Sequence, residues 1–119
     1  MAPTVFIVDD DSGFRRLARW LFSGSGVKVI DEAASITGAR EALSRLRPDA
    51  VLVDVSLPDG DGIELARELA ALAWSPRIVL TSTDAGVGAD DTIGDGIVFV
   101  AKQDLPAAPL YALVSAASR

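Results

Sequence analysis

The sequence contains no cysteine and no histidine. Those absences exclude Cys/His zinc sites, thiol nucleophiles, Ser-His-Asp triads and haem held through His or Cys within this chain. They exclude a disulfide framework as well. No basic run or basic amphipathic helix offsets the net charge of −6 at pH 7, so direct contact with nucleic-acid phosphates is not expected. The first apolar run, residues 5–8, is far too short for a signal-peptide core or a membrane span. A cytoplasmic protein is the simplest expectation. Whatever chemistry occurs must run on carboxylates, hydroxyls and lysines.

What is present reads as one domain over residues 1–119, half apolar and 24% charged, with material for a single sizeable core. Short β-branched runs alternate with amphipathic stretches, the pattern of an α/β fold on a parallel sheet. Val5-Phe6-Ile7-Val8 ends in Asp9, Asp10 and Asp11. Ser12 can then cap a helix with Phe14, Leu17, Ala18 and Leu21 at helical spacing, stopped by Gly24 and Gly26. A second strand is expected over 27–30 and a second helix over 37–46, before Pro48. Ala50-Val51-Leu52-Val53 lacks polar alternation and reads as a central strand buried on both faces; it ends at Asp54. The loop SLPDGDG leads into a helix over 63–73, with Leu65, Leu69 and Leu72 facing inward. A fourth strand over 78–81 ends at Ser82, and a fifth over 97–100 ends at Ala101 and Lys102. A last helix is expected from Leu105 or Pro106 onward. Residues 83–96 should hold a fourth helix, yet they include Gly86, Gly88, Gly94 and Gly96. Each interior glycine costs roughly 0.5–1 kcal/mol relative to alanine, so that helix should be short or disordered.

In a parallel α/β sheet, residues just past the carboxyl ends of the strands converge on one edge, where ligands bind. If the strand order is 2-1-3-4-5, Asp54 is central, the acids of strand one lie to one side and the strand-four hydroxyl to the other. Neighbouring strands are roughly 4.8 Å apart, so these groups can meet around one small ligand. Two like charges about 4 Å apart repel by about 4 kcal/mol at an effective dielectric of roughly 20. Three carboxylates in one cleft therefore raise each other's pKa unless a cation neutralises them. With only oxygen ligands on offer, magnesium or manganese suits the site. An ionised Asp54 is then placed to attack phosphorus, while the metal and Lys102 offset charge on the equatorial oxygens.

Four motifs, VDDD at 8–11, LVDVSLPDGDG at 52–62, LTST at 80–83 and VFVAK at 98–102, fall in order on the strand ends. Together they resemble the receiver family of two-component response regulators over essentially the whole chain. The resemblance implies a flavodoxin-like (CheY-like) doubly wound sheet of five parallel strands. It also implies Mg2+-dependent (or Mn2+-dependent) phosphoryl transfer to Asp54 from a sensor histidine kinase or phosphotransfer protein, followed by a conformational switch. Carried over by position, Asp10 is a direct metal ligand, Asp9 acts partly through water, and Asp54 is both ligand and phosphoacceptor. The backbone carbonyl of Ser56 completes the metal sphere. Ser82 matches the switch hydroxyl, Phe99 the switch aromatic and Lys102 the family's lysine; a shift by one residue would choose Thr81 in place of Ser82.

The chain also departs from the family's common pattern. Gln103 follows the lysine where proline, often with a cis peptide, is frequent. Phe99 lacks a phenol hydroxyl, so switching there must work through packing. The glycine-rich 83–96 stretch leaves open the surface through which receivers bind partners or form a homodimer. Ser56 and Asp84 occupy positions where the family tunes water access, and a small Ser56 implies a short-lived acyl phosphate. One rival reading is a pseudo-receiver, a protein-binding module that works without phosphate; Asp9, Asp10, Asp54 and Lys102 argue against it. Another is a haloacid-dehalogenase-like phosphatase using Asp9 and Asp11, which the chain is too short to equip with a cap domain. A receiver is no enzyme in the usual sense: it assists only its own phosphorylation and dephosphorylation. Without a histidine of its own, its donor is another protein's phosphohistidine or a small phosphodonor. The last helix is not followed by an output module, so the sequence is either a stand-alone receiver or part of a longer regulator.

Overall fold

The computed structural model describes residues 2–84, 86 and 96–115. Its main sheet has five parallel strands: β1 (Thr4–Val8), β2 (Lys28–Ala33), β3 (Ala50–Asp54), β4 (Arg77–Thr81) and β5 (Ile97–Phe99), ordered β2-β1-β3-β4-β5. The described α-helices are α1 (Ser12–Gly24), α2 (Ile36–Leu43), α3 (Gly62–Ala70) and α4 (Leu110–Ser115). Two residue pairs, Ser56–Leu57 and Gly60–Asp61, form a small antiparallel hairpin between β3 and α3. This is the doubly wound order expected from the sequence.

Alternation along the strands explains the two layers. Val5, Ile7, Leu52 and Val79 pack with Ala18 and Phe22 of α1 and with Leu110 and Val114 of α4. Phe6, Val8, Val51, Val53, Ile78 and Leu80 pack with Ile36, Ala39 and Leu43 of α2 and Leu65 and Leu69 of α3. Every residue of β3 is buried, which is why its sequence shows no polar alternation.

Several element ends differ from the sequence expectation. The second strand runs to Ala33, not residue 30. It is an edge strand, and its register against β1 shifts between Val5 and Phe6, skipping Ile30. That bulge resets the alternation, so Asp31 is exposed and half-exposed Glu32 meets Arg15 and Arg19. Asp11, not Ser12, caps α1: its Oδ1 accepts from the N–H groups of Gly13 (2.9 Å) and Phe14 (3.3 Å). Leu17 is 42% exposed because the inward stripe of α1 centres on Ala18 and Phe22, leaving its neighbour at the rim. The second helix stops at Leu43 rather than 46, where the Ser44 hydroxyl donates to the Glu41 carbonyl (2.6 Å). The third stops at Ala70 rather than 73 as the chain turns back toward Ser75 (φ 47°) and Pro76, leaving Leu72 half-buried beyond its end. The fifth strand ends at Phe99, one residue early. The expected last helix is two pieces: a 3-10 helix (Lys102–Ala107) containing Pro106, and α4. Pro109 holds Ala108 extended (ψ 151°) and separates them. The expectation of a short or disordered helix within 83–96 falls almost wholly on residues outside those described.

One glycine is dictated by close approach. The N–H of Gly62 donates to the Val55 carbonyl at 2.8 Å, bringing the start of α3 against the end of β3. A Cβ at Gly62 would lie 1.9 Å from the Asp54 carbonyl oxygen. At Gly24, the last residue of α1, a Cβ meets nothing within 4 Å. Gly62→Ala is therefore expected to destabilise the protein by about 2–4 kcal/mol, while Gly24→Ala should be neutral or gain up to about 1 kcal/mol. Urea unfolding of both variants checks this; equal midpoints would mean that the β3–α3 junction is looser than described.

Candidate functional site

Strands β1 and β3 place their terminal acids side by side at the carboxyl edge of the sheet. Asp9 follows β1 and is 1% exposed; Asp54 ends β3 and is 5% exposed; Asp10 is exposed. Asp9, Asp10 and Asp54 each offer one carboxylate oxygen, and these oxygens lie within 4.8 Å of one another. Lys102 arrives from beyond β5. Its Nζ is 2.8 Å from Asp9 Oδ2 and 3.5 Å from Asp54 Oδ2. It also sits 4.3 Å above the centre of the Phe14 ring of α1, a cation–π contact that holds the ammonium from behind.

Burial, followed by the charge of Asp9, raises the pKa of Asp54 above the ordinary carboxylate value; Lys102 pulls in the opposite direction without cancelling the effect. For Lys102, burial alone would lower the pKa, but the Asp9 and Asp54 carboxylates outweigh it and the net direction is upward. The lysine is thus held charged between two acids. Three carboxylates against one ammonium still leave a formal charge of −3 + 1 = −2. Asp9 Oδ2 is buried without a hydrogen bond, its compensation being the Lys102 ion pair. An all-oxygen donor set with a charge deficit of two fits a hard divalent cation.

Neighbouring residues fix this arrangement. The Asp11 N–H donates to Asp9 Oδ1 (2.9 Å). Arg15 Nη1 donates to the Asp9 carbonyl (2.6 Å), and its Nε lies 3.4 Å from Glu32 on β2. Sequence reasoning identified neither Phe14 nor Arg15 as part of the site; both look like ordinary helix residues until α1 is placed over the strand ends.

The hydroxyls separate. Thr81 is in register with Asp54 across the β3–β4 pair, fully buried, its Oγ1 donating to the Val53 carbonyl at 3.5 Å. Ser82 follows, and its Oγ accepts from the Asp84 N–H (2.9 Å), a local turn bond. Paired residues in a parallel ladder face the same way, so Thr81, not Ser82, lies beside Asp54 on its side of the sheet. The Ser56 N–H points to Asp54 Oδ1 at 3.4 Å. Phe99 is half-buried, in register with Leu80 and packed against the α2/α3 layer. The Lys102–Gln103 peptide is trans.

An open, doubly wound α/β sheet with acids and a lysine gathered at its carboxyl edge defines a protein whose ligand site lies at the strand ends. Residues 5–105 match the response regulator receiver domain model, and the chain belongs to that family. It is 40% identical over 78 residues to the KDP operon transcriptional regulatory protein KdpE of Escherichia coli (66% of this chain, 34% of that protein). Identity is 41% over 80 residues to the DNA-binding transcriptional activator DevR/DosR of Mycobacterium tuberculosis (66% and 37%). The chain thus spans little more than a third of these relatives. Among solved structures, a LuxR-family two-component response regulator from Aurantimonas sp. superposes with a TM-score of 0.81 at 27% identity, covering 100% of this chain and 88% of that one. The RcsB response regulator of Salmonella typhimurium gives 0.82 at 23% identity (98% and 60%), a likeness of fold. The fold is flavodoxin-like.

Because the folded state favours the protonated Asp54 carboxyl, the metal-free protein loses stability as pH rises from the unfolded carboxylate range, about pH 4, through the raised folded value. Asp54→Asn removes the buried charge. In EDTA at pH 7 it is expected to melt a few degrees above the parent, with the gain shrinking as the pH falls below about 4. Melting curves across that range check the sign; a lower melting temperature at pH 7 would mean that the Lys102 pairing outweighs burial.

Proposed function

We propose that this chain is the phospho-accepting receiver of a two-component system, one domain over residues 1–119. In this reading Asp54 takes a phosphoryl group from the phosphohistidine of a sensor histidine kinase or phosphotransfer protein. An Asp54 carboxylate oxygen forms the new P–O bond, the P–N bond to the donor imidazole breaks, and the imidazole leaves with a proton. The single observation that carries the reading is the meeting of Asp9, Asp10 and Asp54 with Lys102 at the sheet edge.

Asp9, Asp10, Asp54 and the Ser56 backbone carbonyl would hold Mg2+ (or Mn2+), which offsets charge on the phosphoryl oxygens. Lys102, freed from part of its pairing with Asp9, would turn its ammonium to the same oxygens. For the hydroxyl that follows the phosphoryl group, the register beside Asp54 favours Thr81, and the turn bond of Ser82 to Asp84 gives Ser82 a different employment. Phe99 would then transmit the change by repacking against the α2/α3 layer, having no phenol to bury or expose. In this reading the chain is a signalling module, not an enzyme acting on external substrates. Among the described residues no helix is long and apolar enough to cross a membrane, and the acidic, cysteine-free composition is compatible with a cytoplasmic role.

Intact-mass spectrometry after incubation with acetyl phosphate and Mg2+ tests the proposal. The parent chain should gain one phosphoryl group, Asp54→Ala none, and EDTA should abolish the gain. Lys102→Ala should slow it on the order of 10²-fold, the cost of losing one charge-stabilising donor. Thr81→Ala should alter phosphorylation or dephosphorylation rates more than Ser82→Ala. A parent chain that never gains mass, with hydrolysis excluded, would instead favour the phosphate-independent binding module.

A further inference from the structure

Residues 55–61 join Asp54 to α3, and their ends are fixed locally. The Gly62 N–H bonds to the Val55 carbonyl, and Asp61 Oδ1 caps α3 by accepting from the Ile63 N–H (2.8 Å). Between these points lies the two-plus-two-residue hairpin, far too short to hold its own shape in water. Its turn is anchored elsewhere. The Asp59 carboxylate crosses to α2 and accepts from the Ile36 N–H (2.8 Å), the Thr37 N–H (3.0 Å) and the Thr37 hydroxyl (2.9 Å). Ile36 also presses on the turn: a Cβ at Gly60 would lie 2.8 Å from its Cδ1.

Helix α2 already has a cap of its own. Ser35 Oγ accepts from the Gly38 N–H (3.0 Å), so Asp59 satisfies first-turn donors that Ser35 leaves over. Helix α2 is in turn fixed in the core by Ile36, Ala39 and Leu43. It is a rigid post, and Asp59 ties the turn to it.

We propose that Asp59 is a positioning residue for the metal site: by mooring the 55–61 loop to α2 it fixes the Ser56 carbonyl relative to the Asp9, Asp10 and Asp54 carboxylates. This rests on the reading of Ser56 as a ligand to Mg2+. A site that needs near-octahedral oxygens is sensitive to such placement, and loss of an orienting group outside the ligand set costs on the order of tenfold in metal affinity.

Titration calorimetry with Mg2+ at fixed ionic strength tests it on the whole chain, with hydrogen exchange of the metal-free protein as a second readout. Asp59→Ala should weaken Mg2+ binding about tenfold and speed amide exchange within 55–61. Ser35→Ala removes a cap from the same helix end, so it should lower the melting temperature comparably while leaving Mg2+ affinity and loop exchange at parent values. Asp59→Asn loses the same charge as the alanine variant but keeps an acceptor for Ile36, and should recover part of the affinity. Equal losses in Asn and Ala would assign the effect to charge alone and overturn the proposal. So would parent-like binding by Asp59→Ala, which leaves the Mg2+ reading intact. If the parent itself fails to bind Mg2+, the Mg2+ reading falls and this inference with it.

Discussion

The Lys102 ammonium between Asp9 and Asp54 is the interaction around which this molecule is arranged. A parallel sheet delivers every strand's carboxyl end to the same edge, and here two of those ends carry acids with almost no contact with water. Left alone, two such charges would oppose folding by several kcal/mol. The compensating cation comes from beyond β5, which is separated from β3 by β4. With strands about 4.8 Å apart, only a long side chain can cross from there. The bond from the Lys102 N–H to the Ser82 carbonyl (3.0 Å) sets its starting point at the end of β4, and the Phe14 ring limits where the ammonium comes to rest.

What could be read from the sequence follows the same physics. Strands β1, β3 and β4 are continuous apolar runs because they are buried on both faces, and acids directly after such runs are costly enough to stand out. Strand β2 was legible only in part: at the edge of the sheet its bulge, its exposed Asp31 and its half-exposed Glu32 imitate a loop. The break at Pro109 was likewise hidden, since proline signals the start of a helix as readily as the gap before one. Between Thr81 and Ser82 the sequence offers two hydroxyls in succession, and only the register against β3 separates them.

The positioning residues were not legible at all, and for one shared reason. Phe14, Arg15, Asp59 and Gly62 act on groups that the chain fold brings to them: a ring under a lysine, a guanidinium on a carbonyl, a carboxylate on another helix, a missing side chain beside a backbone oxygen. No local pattern distinguishes them from a helix-face aromatic, a solvated arginine or ordinary turn residues. The Asp-rich loop SLPDGDG is the sharpest case. Its acids look alike in sequence, yet Asp59 reaches α2, while Asp61 caps α3.

The acids at this edge divide by what they hold. Asp11, Asp59, Asp61 and Asp84 each accept from backbone N–H groups of a turn or helix start, and their charge is spent on holding loops in place. Asp9 keeps Oδ2 clear of backbone donors while its Oδ1 is held by Asp11. Among the described residues, Asp54 has a single long backbone contact, 3.4 Å, from Ser56, and no backbone N–H donates to Asp10. One oxygen from each of Asp9, Asp10 and Asp54 converges within 4.8 Å, and the four loop-holding acids lie outside that cluster. Loop-holding acids and cation-facing acids are interleaved in the sequence, but the ends of β1 and β3 gather the second kind in space. That sorting lets a strongly acidic chain fold while keeping one cluster short of positive charge.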